Sequence, residues 1–327
     1  MNGGTVVSKP HLTAEPAAAA LDLYRRMRVI RRFEDTIQSL FQRGEVHGTT
    51  HLYSGEEAVA VGVASVLRLE DRVAGTYRGH GHALAIGVEP QALLDELLGR
   101  ASGVCGGRAG SMNVIDLEHR LIGCFGIIGG SIAAATGAAL ALRRNDGVAV
   151  AFFGDGTTNH GYFHECLNFA KVNALPVVYI CENNLYGEFT PWEDVTAGEI
   201  CARPAAMGIP AQTVDGNDVW KVQEAAREAV QRARDGQGPA FIEALTYRFV
   251  GHSRSDPGAY RKPGELDEWR GRDPLLLARN ALMDRWGLSL DKIEAVDASV
   301  EVEIDGMISR GLAAPYPVPR PAAEFKV

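Results

Sequence analysis

Two short apolar runs with a helical stretch between them constrain this chain more than any other feature. Val148-Ala-Val-Ala-Phe-Phe153 and Pro176-Val-Val-Tyr-Ile180 are continuous enough in apolar character to be strands buried on both faces, and Gly161 to Asn173 between them is patterned as a helix. A strand–helix–strand unit makes parallel strands, and parallel strands with no polar side need helices on both faces. The expected fold class is therefore α/β: a doubly wound, mostly parallel sheet with helices on both faces.

The flanking sequence extends this pattern. From Leu21 to Phe41 the apolar positions Leu23, Met27, Ile30, Phe33, Ile37 and Leu40 recur at helical spacing, with Arg25, Arg26, Arg31 and Arg32 off the stripe. Val219 to Ala233 reads as a helix and Ala240 to Leu245 as a strand. Phe249 to Pro263 reads as a polar loop, and Pro274 to Trp286 and Ile293 to Ile308 as two further helices. Between Gly99 and Gly137 glycine is dense, and the small-residue run Ser131 to Leu142 suits a helix packed very close to another surface. The organisation expected is a loose segment over 1–20, one α/β domain over 21–311, and an extended proline-rich tail over 312–327.

Composition narrows the partners. With a net charge of -8 over 327 residues, the chain as a whole has no electrostatic reason to seek nucleic acid or an anionic membrane. The five cysteines are odd in number and too widely spaced for a CxxC knuckle or a disulfide framework, which points to a reducing cytoplasm. No apolar stretch is long enough to span a bilayer, and Met1 to Pro10 lacks the pattern of a signal peptide.

The ends of the two apolar strands carry the chemistry. Ligands of open parallel sheets sit outside the carboxyl ends of the strands, and here those ends read Gly154-Asp155-Gly156 and Glu182-Asn183-Asn184. Asp155 offers a carboxylate and Asn184 a carbonyl oxygen, which are hard ligands for magnesium, with room left in an octahedral shell for phosphate oxygens. The glycines let the backbone approach, and amides at the following helix start suit an anion.

Gly-Asp-Gly with Asn-Asn one strand later resembles the thiamine diphosphate motif, and it does not stand alone. His51-Leu-Tyr-Ser-Gly-Glu-Glu-Ala58, Thr76-Tyr-Arg-Gly-His-Gly81, Gly107-Arg-Ala-Gly-Ser-Met112, Phe125-Gly-Ile-Ile-Gly-Gly130 and Tyr247-Arg-Phe-Val-Gly-His-Ser-Arg-Ser-Asp-Pro257 are similar, in order, to the landmarks of one family. That family is the alpha subunits of two-chain 2-oxo acid dehydrogenases, pyruvate dehydrogenase among them, together with the acetoin dehydrogenases. The resemblance runs from Leu21 to Trp286.

It implies that Asp155, Asn184 and the backbone carbonyl of Tyr186 hold magnesium, and that Tyr77 and Arg78 bind the diphosphate with help from the amides of Gly156 and Thr157. Gly126 and Ile128 would meet the aminopyrimidine through their backbones. His252 would sit over the reacting end in a catalytic role, and His51 would line the substrate's path. In two-chain members the glutamate that activates the cofactor belongs to the beta subunit, and no motif here replaces it. The resemblance thus implies an alpha2beta2 heterotetramer with cofactor at the interface and the Gly130 to Leu142 region against a symmetry mate. It also implies transfer of the acyl unit to a lipoyl-bearing acyltransferase.

Other readings explain less. A nicotinamide dehydrogenase needs G-x-G-x-x-G and a nucleotide hydrolase needs G-x-x-x-x-G-K-[ST]; both motifs are absent. A non-catalytic regulatory subunit would have no need of the full set Arg78, Asp155, Asn184 and His252. His80 and His82 alternate with Arg78, which in an extended stretch puts them on its side, as structural or substrate-facing groups. His160 and His164 share a helical spacing, but HExxH is absent. The chain departs from the family at Asn113 and Val250, where histidine is common, and at His160, where glutamine is; none of these is a metal position. Ser253 and Ser255 stand where mitochondrial relatives carry a phosphorylation loop and are read here as loop residues only.

Overall fold

The computed structural model describes residues 14–319. Its centre is one sheet of six strands in the order β2-β1-β3-β4-β8-β7, every neighbouring pair parallel. These strands are β1 (Arg72–Thr76), β2 (Leu121–Phe125), β3 (Ala149–Gly154), β4 (Val177–Asn183), β7 (Ala211–Asp215) and β8 (Ala240–Leu245). A two-residue hairpin, β5 (Tyr186–Gly187) with β6 (Thr190–Pro191), stands apart just beyond β4.

Alternation along the central strands explains the two layers of helices. On β3, Val150 and Phe152 face one hydrophobic cluster, while Ala149, Ala151 and Phe153 face the other. On β4, Val178 and Ile180 alternate in the same way with Val177, Tyr179 and Cys181. The first face is covered by α1 (Ala14–Gln42), α2 (Glu57–Ala64), α4 (Pro90–Leu97), α9 (Val219–Arg234), α11 (Pro274–Asp284) and α12 (Leu290–Ala313). The second is covered chiefly by α5 (Gly130–Leu142) and α6 (Gly161–Val172). Short helices α3 (His80–Ala85), α7 (Trp192–Val195), α8 (Ala202–Ala206) and α10 (Glu265–Arg270) lie in the connections. The expected α/β class holds, and the sheet is wholly parallel.

Several boundaries differ from expectation. Helix α1 begins at Ala14 rather than Leu21, because the alanines at 17–20 are the best helix formers and Ala20 is already in the core. Residues 1–13 of the expected loose segment, and 320–327 of the tail, lie outside the described residues. α12 runs on to Ala313, after which Ala314 to Pro319 has no regular structure; Ala101 N donates to the Pro315 carbonyl, and the Arg100 guanidinium lies over the Tyr316 ring. The stretch holding His80 and His82 is not extended: Thr76 ends β1, and α3 begins at His80. None of the five cysteines is paired, and no helix among the described residues is long and apolar enough to cross a membrane.

Charged groups fasten the helices of the first face. Arg28 pairs with Asp297 and Glu301, and Arg25 and Arg32 with Glu303, Glu301 and Asp305, so α1 and α12 are joined along their length. More deeply set, Arg31 joins α1 to Glu57 and to Asp273 before α11, and Glu57 also accepts from the Gly55 amide. The Glu57 side chain is fully buried, so removing its cation leaves an uncompensated charge. An Arg31→Met variant is therefore expected to lose about 3 kcal/mol of unfolding free energy; a denaturant melt showing a loss within error of zero would contradict the buried ion pair.

Candidate active site

The site follows from sheet direction. β1 and β3 are neighbours, yet the chain leaves β1 for β2 on the opposite side, so the strand order reverses between them and the helices leave a crevice at the carboxyl ends. Five strands deliver residues there: Tyr77 and Arg78 after β1, Gly126 to Ile128 after β2, Asp155 to Thr157 after β3, Asn184 and Tyr186 after β4, and Arg248 and His252 beyond β8. Together with His51 they line one cavity of ≈ 620 Å³. Every residue singled out from the sequence as a site residue lines this cavity.

The register of β3 and β4 brings together the two turns that carry Asp155 and Asn184. Gly154 is opposite Glu182, which puts the turn at Asp155 next to the turn at Asn184. A short 3-10 turn, Asp155–Asn159, follows β3 directly. Gly156 and Gly187 face each other, and a Cβ on Gly156 would meet the Gly187 Cα at 3.5 Å, in ordinary van der Waals contact. After β4 the backbone turns sharply at Leu185, whose φ of 74° is left-handed, and Asn184 Oδ1 accepts from the Tyr186 amide at 3.4 Å. Asp155 is 1% exposed and its Oδ2 has no hydrogen-bond partner; burial pushes its carboxyl up to about 6. A buried, unpartnered carboxylate oxygen beside an amide oxygen is a donor set that fits a hard cation carrying anionic oxygens.

Cationic groups and imidazoles also line the cavity. Arg78 is buried and donates to the carbonyls of Leu52 (2.5 Å) and His252 (3.0 Å), so the same guanidinium that faces the cavity also holds the His252 loop. The rings of His51, Tyr77 and His252 form one cluster, with centroids 4.5 Å (His51–Tyr77), 5.0 Å (His51–His252) and 5.7 Å (Tyr77–His252) apart. Burial, then Arg78 and His252, bring His51 down to about 3; burial, then Arg78 and Arg248, bring His252 down to about 4. Both rings are neutral at physiological pH. Arg248 approaches His252 Nδ1 at 3.4 Å and can only donate, so Nδ1 is the acceptor and the neutral ring carries its proton on Nε2.

Three buried charged residues that were not singled out from the sequence also line the cavity. Arg248 is 2% exposed and links the loop together, donating to the Glu188 carbonyl and to Tyr260 Oη; its place in the quoted 247–257 motif was the available signal. Glu56 is 1% exposed and belongs to the His51 to Ala58 motif. Glu182 accepts from Tyr53 Oη and lies 2.9 Å from His82 Nε2. His80 and His82, by contrast, are fully buried and structural: His80 bridges Glu34 and Ser111, and His82 stacks on Phe152. His160 caps α6, its Nδ1 accepting from the Tyr162 amide at 3.3 Å. Asn113 lies beside Gly126, its Oδ1 3.7 Å from where a Cβ on that glycine would sit.

A doubly wound sheet whose switch-point cavity gathers buried carboxylate and amide oxygens together with buried cations is of the class that takes an anionic ligand at its strand ends. The sequence profile of the dehydrogenase E1 component family matches residues 25–320, and the chain belongs to that family. It is 42% identical over 302 residues to the alpha subunit of acetoin:2,6-dichlorophenolindophenol oxidoreductase from Bacillus subtilis, covering 91% of this chain and 90% of that one. It is 42% identical over 306 residues to the chloroplastic pyruvate dehydrogenase E1 component subunit alpha-3 of Arabidopsis thaliana, covering 91% and 72%. With pyruvate dehydrogenase E1 component subunit alpha of Rhizobium meliloti it shares 41% identity over 284 residues, covering 86% and 82%. The chain is thus a thiamine diphosphate-dependent oxidoreductase subunit of the alpha type.

The two depressed imidazoles predict a direction of pH dependence. Their folded values lie below the unfolded value, so the stability they contribute is complete above about pH 6.5 and is lost as pH falls toward 4 and below. A His51→Gln/His252→Gln double variant should lose less of its melting temperature between pH 6.5 and 4.5 than the parent. Parallel losses would mean the rings are not held neutral.

Proposed function

We propose that this chain is the alpha subunit of a 2-oxo acid dehydrogenase first component, which decarboxylates pyruvate or a similar 2-oxo acid and passes the acyl unit to a lipoyl-bearing acyltransferase. The observation that carries the reading is the buried, unpartnered Asp155 oxygen at the strand end next to Asn184, in a cavity that Arg78 and His252 also line. Acetoin cleavage by the same cofactor is the second reading, favoured by the Bacillus subtilis relative, whose length this chain matches nearly end to end.

In this reading Asp155 and Asn184, with the Tyr186 carbonyl, hold magnesium. Tyr77, Arg78 and the Gly156 and Thr157 amides receive the diphosphate, and the backbones of Gly126 and Ile128 meet the aminopyrimidine. When bound, thiamine diphosphate supplies a carbon nucleophile and takes up the electron pair left when a carbon–carbon bond breaks. The protein's part is position and protons. Arg78 ties diphosphate binding to the placement of His252 through the His252 carbonyl. His252, neutral with its proton on Nε2, serves as a hydrogen-bond donor toward a developing negative oxygen. His51, packed edge-on against His252, lines the approach of the substrate.

A second chain completes the site. Ile127 (74% exposed), Ile128 (49%) and Val195 (54%) line the cavity yet stand open to solvent, which supports a beta subunit closing over the cofactor and excluding water. On α5 the small residues Ala133, Gly137 and Ala141 are exposed beside Leu140, which supports close packing on a symmetry mate in an alpha2beta2 assembly. Five unpaired cysteines are in keeping with a cytoplasmic setting.

Two outcomes are expected. With the cognate beta chain, magnesium and thiamine diphosphate, reduction of an artificial electron acceptor should proceed with pyruvate, another 2-oxo acid or acetoin; failure with all of them in a cofactor-loaded complex would remove the reading. Asp155→Ala should abolish magnesium-dependent cofactor binding by calorimetry, whereas His252→Ala should leave binding nearly intact and slow turnover by about 10²-fold or more. Undiminished turnover in the latter would end the assignment of His252.

A further inference from the structure

Glu56, the residue before α2, has a carboxylate buried to 1% exposure inside the cavity. Burial pushes this carboxyl well above the usual carboxylate range. Its surroundings are unusually sparse for a buried acid. Arg78 Nε lies 3.8 Å away, beyond hydrogen-bond length, because that guanidinium donates to Leu52 and His252 instead. Among the described residues the carboxylate has one hydrogen-bond partner, the Asn184 side chain, whose Nδ2 donates to Glu56 Oε1 at 3.2 Å. A carboxylate so poorly solvated is expensive to bury, and packing alone does not account for it.

The geometry at Asn184 supplies a reason. Its amide is held at both ends: Nδ2 donates to Glu56, and Oδ1 accepts from the Tyr186 amide at 3.4 Å. Turned by 180°, the same amide would set its NH2 against the Tyr186 N–H, donor facing donor, and its oxygen against Glu56, where only the protonated acid could donate to it. In the observed orientation one lone pair of Oδ1 stays free. An asparagine ligates a cation only through oxygen, so its orientation decides whether it is a ligand at all.

We infer that Glu56 is a positioning residue, holding the Asn184 amide with its oxygen, and not its nitrogen, presented to the magnesium ion. The inference rests on the proposed metal site. It acts through Asn184 and needs no contact of Glu56 with cation or cofactor, in the way that partners behind a metal ligand orient it.

The test uses the assembled complex and measures the magnesium dependence of thiamine diphosphate binding by calorimetry, with melting temperature recorded alongside. Glu56→Met keeps the volume and removes the acceptor; magnesium affinity should fall about 10- to 100-fold, while the melting temperature without cofactor records separately what losing the carboxylate near Arg78 costs. Glu56→Gln keeps an acceptor oxygen for Asn184 Nδ2 and should retain most of the affinity. In an Asn184→Asp background, where either oxygen can ligate, Glu56→Met should no longer weaken magnesium binding. Unchanged magnesium dependence in Glu56→Met would overturn the inference. So would equal losses in Glu56→Met and Glu56→Gln, which would make Glu56 a source of charge and not of orientation. Asp155→Ala serves as the control: if it too leaves magnesium dependence unchanged, the metal assignment itself fails, whereas loss there with no effect at Glu56 removes only the positioning role.

Discussion

The pairing of β3 with β4 is the constraint on which the rest depends. Both strands are buried on two faces, so their register is pinned by side chains on each side, and a slip of one residue would exchange the two cores. With Gly154 opposite Glu182, the turns that follow come together at Asp155 and Asn184. Parallel direction then does the remaining work, because it sends the ends of β1, β2 and β8 to the same edge and the helices leave a crevice where the strand order reverses.

The crevice is electrostatically tense. Asp155, Glu56, Arg78 and Arg248 are all nearly inaccessible, with few direct pairings between them, and burial raises the acids while depressing the two imidazoles. Such an arrangement is a poor source of stability and a good receptacle for a cation and an anion entering together. Stability comes from elsewhere, from the two apolar layers and from the ion pairs joining α1 to α12 and to the turn at Glu57. The Arg31–Glu57 pair lies immediately beside Glu56, so the fastening of the helices also fixes the wall of the cavity.

Arg78 shows how the parts are coupled. It faces the cavity, yet its donors hold the carbonyls of Leu52 and His252, two segments far apart in sequence. The His252 loop is further braced by Asp256, which accepts from the His252 amide and Tyr260 Oη, and by Arg261, which donates to the Val250 carbonyl. The imidazole is therefore placed by contacts from β1, the hairpin turn at Glu188 and its own loop. The contacts from Arg78 and from Glu188 join segments far apart in the chain and cannot be read from spacing.

The sequence by itself determined the fold class, since two all-apolar runs around a helical stretch permit little besides a covered parallel sheet, and it pointed to the strand ends at Asp155 and Asn184, which the structure brings to one cavity. Ordered motifs named His51, Tyr77, Arg78, Gly126, Ile128 and His252 through resemblance. Periodicity did not reveal β1, β2 or the short helix at His80, because five- and six-residue elements rich in glycine, alanine and histidine carry almost no pattern. Only the tertiary structure decided that His80 and His82 are core groups, that Arg248 and Glu56 reach the cavity, and that Asn184 has one orientation. Each is a matter of which distant side chain occupies the opposite side, and neither spacing nor composition carries that information.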